Sequence, residues 1–116
     1  MKGQMSIKPA NGEISVLFKG RVVAKSQEAV VLTEDDLPAV FYLPRASLIA
    51  ARLEAYARRS HCPVKGQASY YTLVTPEGRA ERAVMSYEAP YEEAVLIARL
   101  IAFDPERVDK IVFQPF

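Results

Sequence analysis

The chain has only one cysteine and one histidine, Cys62 and His61, so no internal disulfide can form. Structural zinc takes four ligands, commonly with cysteines paired two to four residues apart, and this pair cannot supply them, so no metal is expected. No apolar run approaches the roughly 20 residues that span a bilayer, and no hydrophobic stretch follows Met1-Lys2-Gly3 as in a secretory leader. No membrane partner is therefore expected, and a reducing, cytoplasmic setting is the simplest reading. An excess of either charge is missing too. Fifteen Lys and Arg stand against fourteen Asp and Glu, a formal +1, unlike the strongly basic balance of a dedicated nucleic-acid binder. Nucleic acid is not an expected partner. Neither a Gly-x-x-x-x-Gly-Lys loop nor a Gly-x-Gly-x-x-Gly fingerprint occurs, and no cofactor is implied.

What is present suits one globular domain: 116 residues, half of them hydrophobic and a quarter charged. Residues 1–12 are polar, hold Pro9 and Asn11-Gly12 and show no periodicity, so they read as a flexible lead-in to a single β-rich domain over 13–116. Short β-branched runs at Ile14–Phe18, Arg21–Lys25 and Ala29–Thr33 predict a three-strand meander. Glu34-Asp35-Asp36-Leu37-Pro38 predicts a turn, and Ala39–Leu43 a fourth strand ended by Pro44. From Ser47 to Arg59, Leu48, Ile49, Arg52, Leu53 and Tyr56 recur three or four apart among alanines, which predicts an amphipathic helix. Strands are expected at Ala68–Val74, Ala80–Met85, Leu100–Phe103 and Val108–Phe113, with a short helical turn near Glu92–Ile97. The pattern predicts a mainly β sandwich or open barrel with one or two short helices.

Several segments together resemble the domain of unknown function family number 427. They are Tyr42-Leu43-Pro44-Arg45, the stretch from His61 to Tyr70 with its Cys-Pro-x-Lys-Gly-x-Ala core, Ser86-Tyr87 with Pro90, and Ile101-Ala102-Phe103. That family also carries a nucleotidyltransferase-like label. The resemblance implies a β-tent-like fold, with two small antiparallel sheets meeting at an angle. Two departures stand out: Val84-Met85 replaces a tryptophan usual before the Ser-Tyr pair, and Ser47-Leu48-Ile49 stands where relatives carry an acid.

Charge is distributed unevenly. Arg45, Arg52, Arg58, Arg59 and Lys65 face only Glu54, a local net of +4, while five acids face Arg79 and Arg82 between Glu77 and Glu93. Cys62 to Gly66 reads as a proline-fixed turn whose backbone N–H groups and Lys65 could hold a phosphate or carboxylate, or as a plain connection with Lys65 in solvent. Cys62 is a candidate nucleophile, since a nearby cation favours the thiolate, but adjacent His61 is badly placed to be its base. The bland reading of Cys62 is a small hydrophobe. The acids Glu34, Asp35 and Asp36 are explained by turn chemistry. The candidate ligand set is Tyr42, Arg45, His61, Cys62, Lys65, Gly66, Tyr70 and Tyr87, with the tyrosines equally readable as packing. The expected function is binding of a small anionic ligand. The alternatives are an enzyme using Cys62 and a protein-interaction or homo-oligomerisation domain with an open strand edge.

Overall fold

Where β-branched residues alternate with small or polar ones, strands form, and they dominate the computed structural model, which describes residues 4–116. In chain order they are β1 (Met5–Pro9), β2 (Gly12–Phe18), β3 (Arg21–Ser26), β4 (Val30–Glu34), β5 (Val40–Tyr42), β6 (Arg52–Cys62), β7 (Gly66–Thr75), β8 (Gly78–Ser86), β9 (Ala102–Phe103) and β10 (Lys110–Pro115). The helical content is confined to 3-10 turns at Arg45–Ser47 and Glu92–Ile97. Among the described residues no helix is long and apolar enough to cross a membrane.

The chain is mainly β, as its pattern predicts. The strands pair antiparallel, in three sheets ordered β1-β4-β5, β10-β2-β3 and β6-β7-β8-β9, and among the described residues no barrel closes. Leu43 and Ile101 exchange two backbone hydrogen bonds of 2.8 Å each, which joins β5 to β9 at one point. The first and third sheets thus form one bent layer, and each face of it buries a different cluster. Because successive side chains in a strand point to opposite faces, Leu43, Leu73, Val84, Ile101 and Phe103 pack against Ile14, Val16 and Val23 of the β10-β2-β3 sheet. Tyr42, Ala68, Tyr87 and Ala102 go the other way, packing with Leu32 and with Ala94 and Ile97 of the second 3-10 turn.

Three local expectations are corrected. The three-strand meander does not form: β2 pairs with β3, but β4 leaves that sheet to pair with β1 and β5. Residues 5–9, read as part of a flexible lead-in, form β1, with Met5 opposite Glu34 and Pro9 opposite Val30. Met5 and Ile7 lean on the second cluster, and a period of two over so few residues leaves no recognisable signal. Residues 1–3 of that lead-in lie outside the described residues. The helix expected over Ser47–Arg59 is instead a 3-10 turn followed by β6. Ala50 takes a left-handed backbone conformation (φ 47°), which breaks any helix there, and Leu53 then pairs with Leu73. Leu53 also packs on the first core, so tertiary pairing overrides the helix preference of the alanines. A register shift between Tyr56 and Arg59 marks a bulge that bends this edge strand.

Candidate functional site

The hairpin from β6 to β7 turns through Pro63-Val64-Lys65, with Cys62 opposite Gly66. Gly66 has φ +110°, a conformation that side chains resist, so a glycine is required to start β7. The Lys65 carbonyl accepts a 2.9 Å hydrogen bond from the Tyr91 N–H, and the backbone of Pro90 lies against Gly66. Held on that side, the turn sends the Lys65 side chain inward. Its ammonium donates to Glu34 Oε1 at 2.8 Å, and only 12% of the side chain is exposed. Glu34 ends β4, where the Asp35 turn begins, yet its carboxylate serves this ion pair across 31 residues rather than the turn.

Lys65 and Glu34 form the polar end of a cavity of about 210 Å3. Tyr42 from β5 and Tyr87 just beyond β8 complete that end, and Leu32, Leu37, Pro38, Val40 and Met85 make the remaining wall apolar. Both tyrosines are buried. Burial, then the neighbouring charges of Cys62, Tyr70 and Glu34, pushes the Tyr87 hydroxyl up to about 12. Tyr42 is raised further, by burial first and then by Tyr87, Cys62, Glu34 and Tyr70. Among the described residues the buried side-chain oxygen left without a partner is Ser86 Oγ, not either of these hydroxyls.

Cys62 borders the same region, half-buried and packed on the Tyr42–Tyr87 cluster. Burial alone would raise its thiol. The backbone N–H groups of Val64 and Lys65 and the Lys65 ammonium outweigh that and bring it below its ordinary value. Tyr70 lines the adjoining hollow, and its hydroxyl lies 2.7 Å from Ser60 Oγ.

The remaining candidates lie elsewhere. Arg45 enters the 3-10 turn after β5, lies over the Tyr71 ring at 5.1 Å, and donates to the Tyr71 hydroxyl, Glu88 and the Arg99 carbonyl. None of these partners lines the cavity. His61 points outward to Tyr91, whose hydroxyl is 3.4 Å from Nε2. Gly66 shapes the turn without lining the cavity. The eight sequence candidates thus divide: Tyr42, Lys65 and Tyr87 line it, Cys62 and Tyr70 adjoin it, and Arg45, His61 and Gly66 do not reach it. Glu34, Met85 and the Leu37–Val40 wall were not among those candidates. For Glu34 the one available signal is an acid at the end of a strand, which turn chemistry also explains.

An order of strands with a β6–β7 turn over a Tyr42–Tyr87 cluster matches the motifs that opened the family comparison, and the family model covers residues 6–114. The chain belongs to the family described as Domain of unknown function (DUF427). A comparison with curated proteins returns no match. In this DUF427 domain no cluster of three or more His, Cys, Asp or Glu that could hold a metal ion occurs among the described residues. The nucleotidyltransferase-like label therefore has no carboxylate cluster behind it here of the kind that two-metal phosphoryl transfer uses.

Proposed function

We propose that this domain binds a small molecule through a carboxylate or phosphate group received in the Lys65 cavity. The observation that carries the reading is the meeting of Lys65, Tyr42 and Tyr87 at one end of an otherwise apolar hollow. A few convergent polar groups in an apolar concavity are the usual makeup of a ligand site. Glu34 is the partner of Lys65 in the free domain, so it acts as an internal competitor: an incoming anion takes over the ammonium while the Glu34 side chain turns aside, its backbone staying paired with Met5. Isothermal titration with short carboxylates, phosphorylated metabolites and nucleotides tests this. Binding should vanish in Lys65→Met, persist in Arg45→Ala and tighten several-fold in Glu34→Gln. Absence of binding by every compound, or full binding by Lys65→Met, would falsify it.

A second reading has its own observation, the low thiol of Cys62 beside Lys65. In it Cys62 attacks an electrophilic group of the bound molecule as the thiolate. No base is needed for that, since His61 faces away. Alkylation by iodoacetamide at neutral pH should then outpace that of a free cysteine, and slow in Lys65→Met. A thiol that stays inert in the folded domain removes this reading and leaves the binding one intact.

A further inference from the structure

Two larger hollows adjoin the polar cavity. One of about 340 Å3 runs along Tyr70, Met85 and Phe103, and one of about 510 Å3 along Phe41, Leu43 and Ile111. Val40 lines all three. The cause lies in the way β5 and β9 part. Among the described residues their backbones pair only where Leu43 meets Ile101, and beyond that bridge β5 pairs with β4 alone and β9 with β8 alone. By the alternation of an antiparallel ladder, Phe41 and Phe103 turn their backbone groups toward the resulting gap. Phe41 and Tyr42 face opposite sides of β5, so the polar cavity and the largest hollow lie on opposite faces of the strand. The middle hollow shares Val40 and Met85 with the polar cavity and Val40, Phe103 and Pro105 with the largest hollow.

We propose that the ligand is amphipathic, with its anionic head at Lys65 and a flexible apolar chain bent round Val40 into the hollows beyond. This rests on the binding reading above and names its ligand class. Three features select the occupant. The polar cavity is small, whereas the adjoining hollows fall within the roughly 300–1,000 Å3 of ordinary small-molecule sites. The largest hollow is walled by aliphatic, aromatic and proline residues, and the only charged residues lining the middle one are Arg82 and Asp104. The path also turns from one face of β5 to the other, which a methylene chain follows and a rigid ring system does not. A straight-chain carboxylic acid meets all three conditions.

Isothermal titration with sodium butanoate, hexanoate, octanoate and decanoate provides the test. Each methylene that enters the hollows should tighten binding about three- to fourfold. Pro105 is exposed and lines both larger hollows but not the polar cavity, so Pro105→Trp should leave butanoate binding intact and abolish the gain with length. Leu37 is 61% exposed and lines both the polar cavity and the largest hollow, so Leu37→Arg should weaken the longer acids more than butanoate without disturbing a buried side chain. Affinity independent of length, with butanoate still dependent on Lys65, overturns the chain and spares the head site. Long acids that bind Lys65→Met as well as the native domain overturn the inference by separating chain from head. If no acid of any length binds while a phosphorylated metabolite does, the ligand class falls and the head site stands; if neither kind of compound binds, the binding reading falls as well.

Discussion

Two ion pairs in this domain each join a cation from a turn to a glutamate beside a tyrosine, and they differ in nearly everything else. Lys65 and Glu34 are 12% and 19% exposed and sit in an apolar wall with Tyr42 and Tyr87. Arg45 and Glu88 are 39% and 42% exposed and lie with Tyr71 on the other side of the bent layer. Solvent screens the second pair, so its charges act mainly on each other. The first pair sits where the effective dielectric constant is low, and whatever enters the adjoining cavity meets a cation that water screens poorly. Position in the fold, not residue type, separates a ligand-ready charge from a structural strut.

The sharpest way to break that contrast is to remove Lys65. Lys65→Met leaves the Glu34 carboxylate without its partner, and loss of one member of a largely buried pair should cost about 3 kcal/mol. Urea unfolding measures it. Replacing both partners, as Lys65→Met with Glu34→Leu, leaves no uncompensated charge and should recover most of that loss, within about 1 kcal/mol of the native domain. Equal losses in the single and double variants would show that the two charges are not coupled, and the Lys65 pair would then be no different from the Arg45 pair.

A smaller effect separates the tyrosines of the two regions. Tyr87 is raised from its ordinary 10.0 to about 12, chiefly by burial, and Tyr42 is raised in the same direction. The folded domain holds these protons more tightly than the unfolded chain does. Their stabilising contribution is therefore whole below pH 10 and is lost as pH climbs through about 12. In an ultraviolet titration of phenolate formation, two tyrosines should ionise late, and Tyr87→Phe should remove one of them. The same variant should make the alkaline fall in stability shallower. Loss of no late-ionising group in Tyr87→Phe would place that hydroxyl in solvent and open the cavity it helps to line.

The sequence carried the strands well because period-two alternation is local, as in Ile14–Phe18 with Ile14, Val16 and Phe18 buried. It misled at β6, where Leu53 and Tyr56 also fit a helical spacing and only the distant partners Leu73 and Tyr70 decide the outcome. At the candidate site, the Ser60–Tyr71 stretch drew attention to Lys65, since Pro63 and Gly66 bracket it. What local pattern could not show was direction. Lys65 turns inward because the 88–91 segment holds the other side of its turn, and it meets a glutamate from a strand 31 residues earlier. Arg45 drew attention by the same local positive charge, yet its fate was set by Tyr71 and Glu88, on β7 and just past β8.

The smallest expected effect is the one that closes the comparison from its other side. Arg45→Ala removes an ion pair, a contact with the Tyr71 ring and a hydrogen bond to the Arg99 carbonyl. These groups are more than a third exposed, so screening and the entropy of a long side chain leave a net loss of about 1 kcal/mol or less. Raising the salt concentration should shrink the gap between Arg45→Ala and the native domain, because salt screens the exposed pair and leaves the buried one at Lys65 largely untouched. Chemical unfolding at low and high ionic strength measures both terms. A loss as large as that of Lys65→Met, unchanged by salt, would mean that Arg45 is held in a water-poor site of its own, and exposure would no longer separate the two pairs.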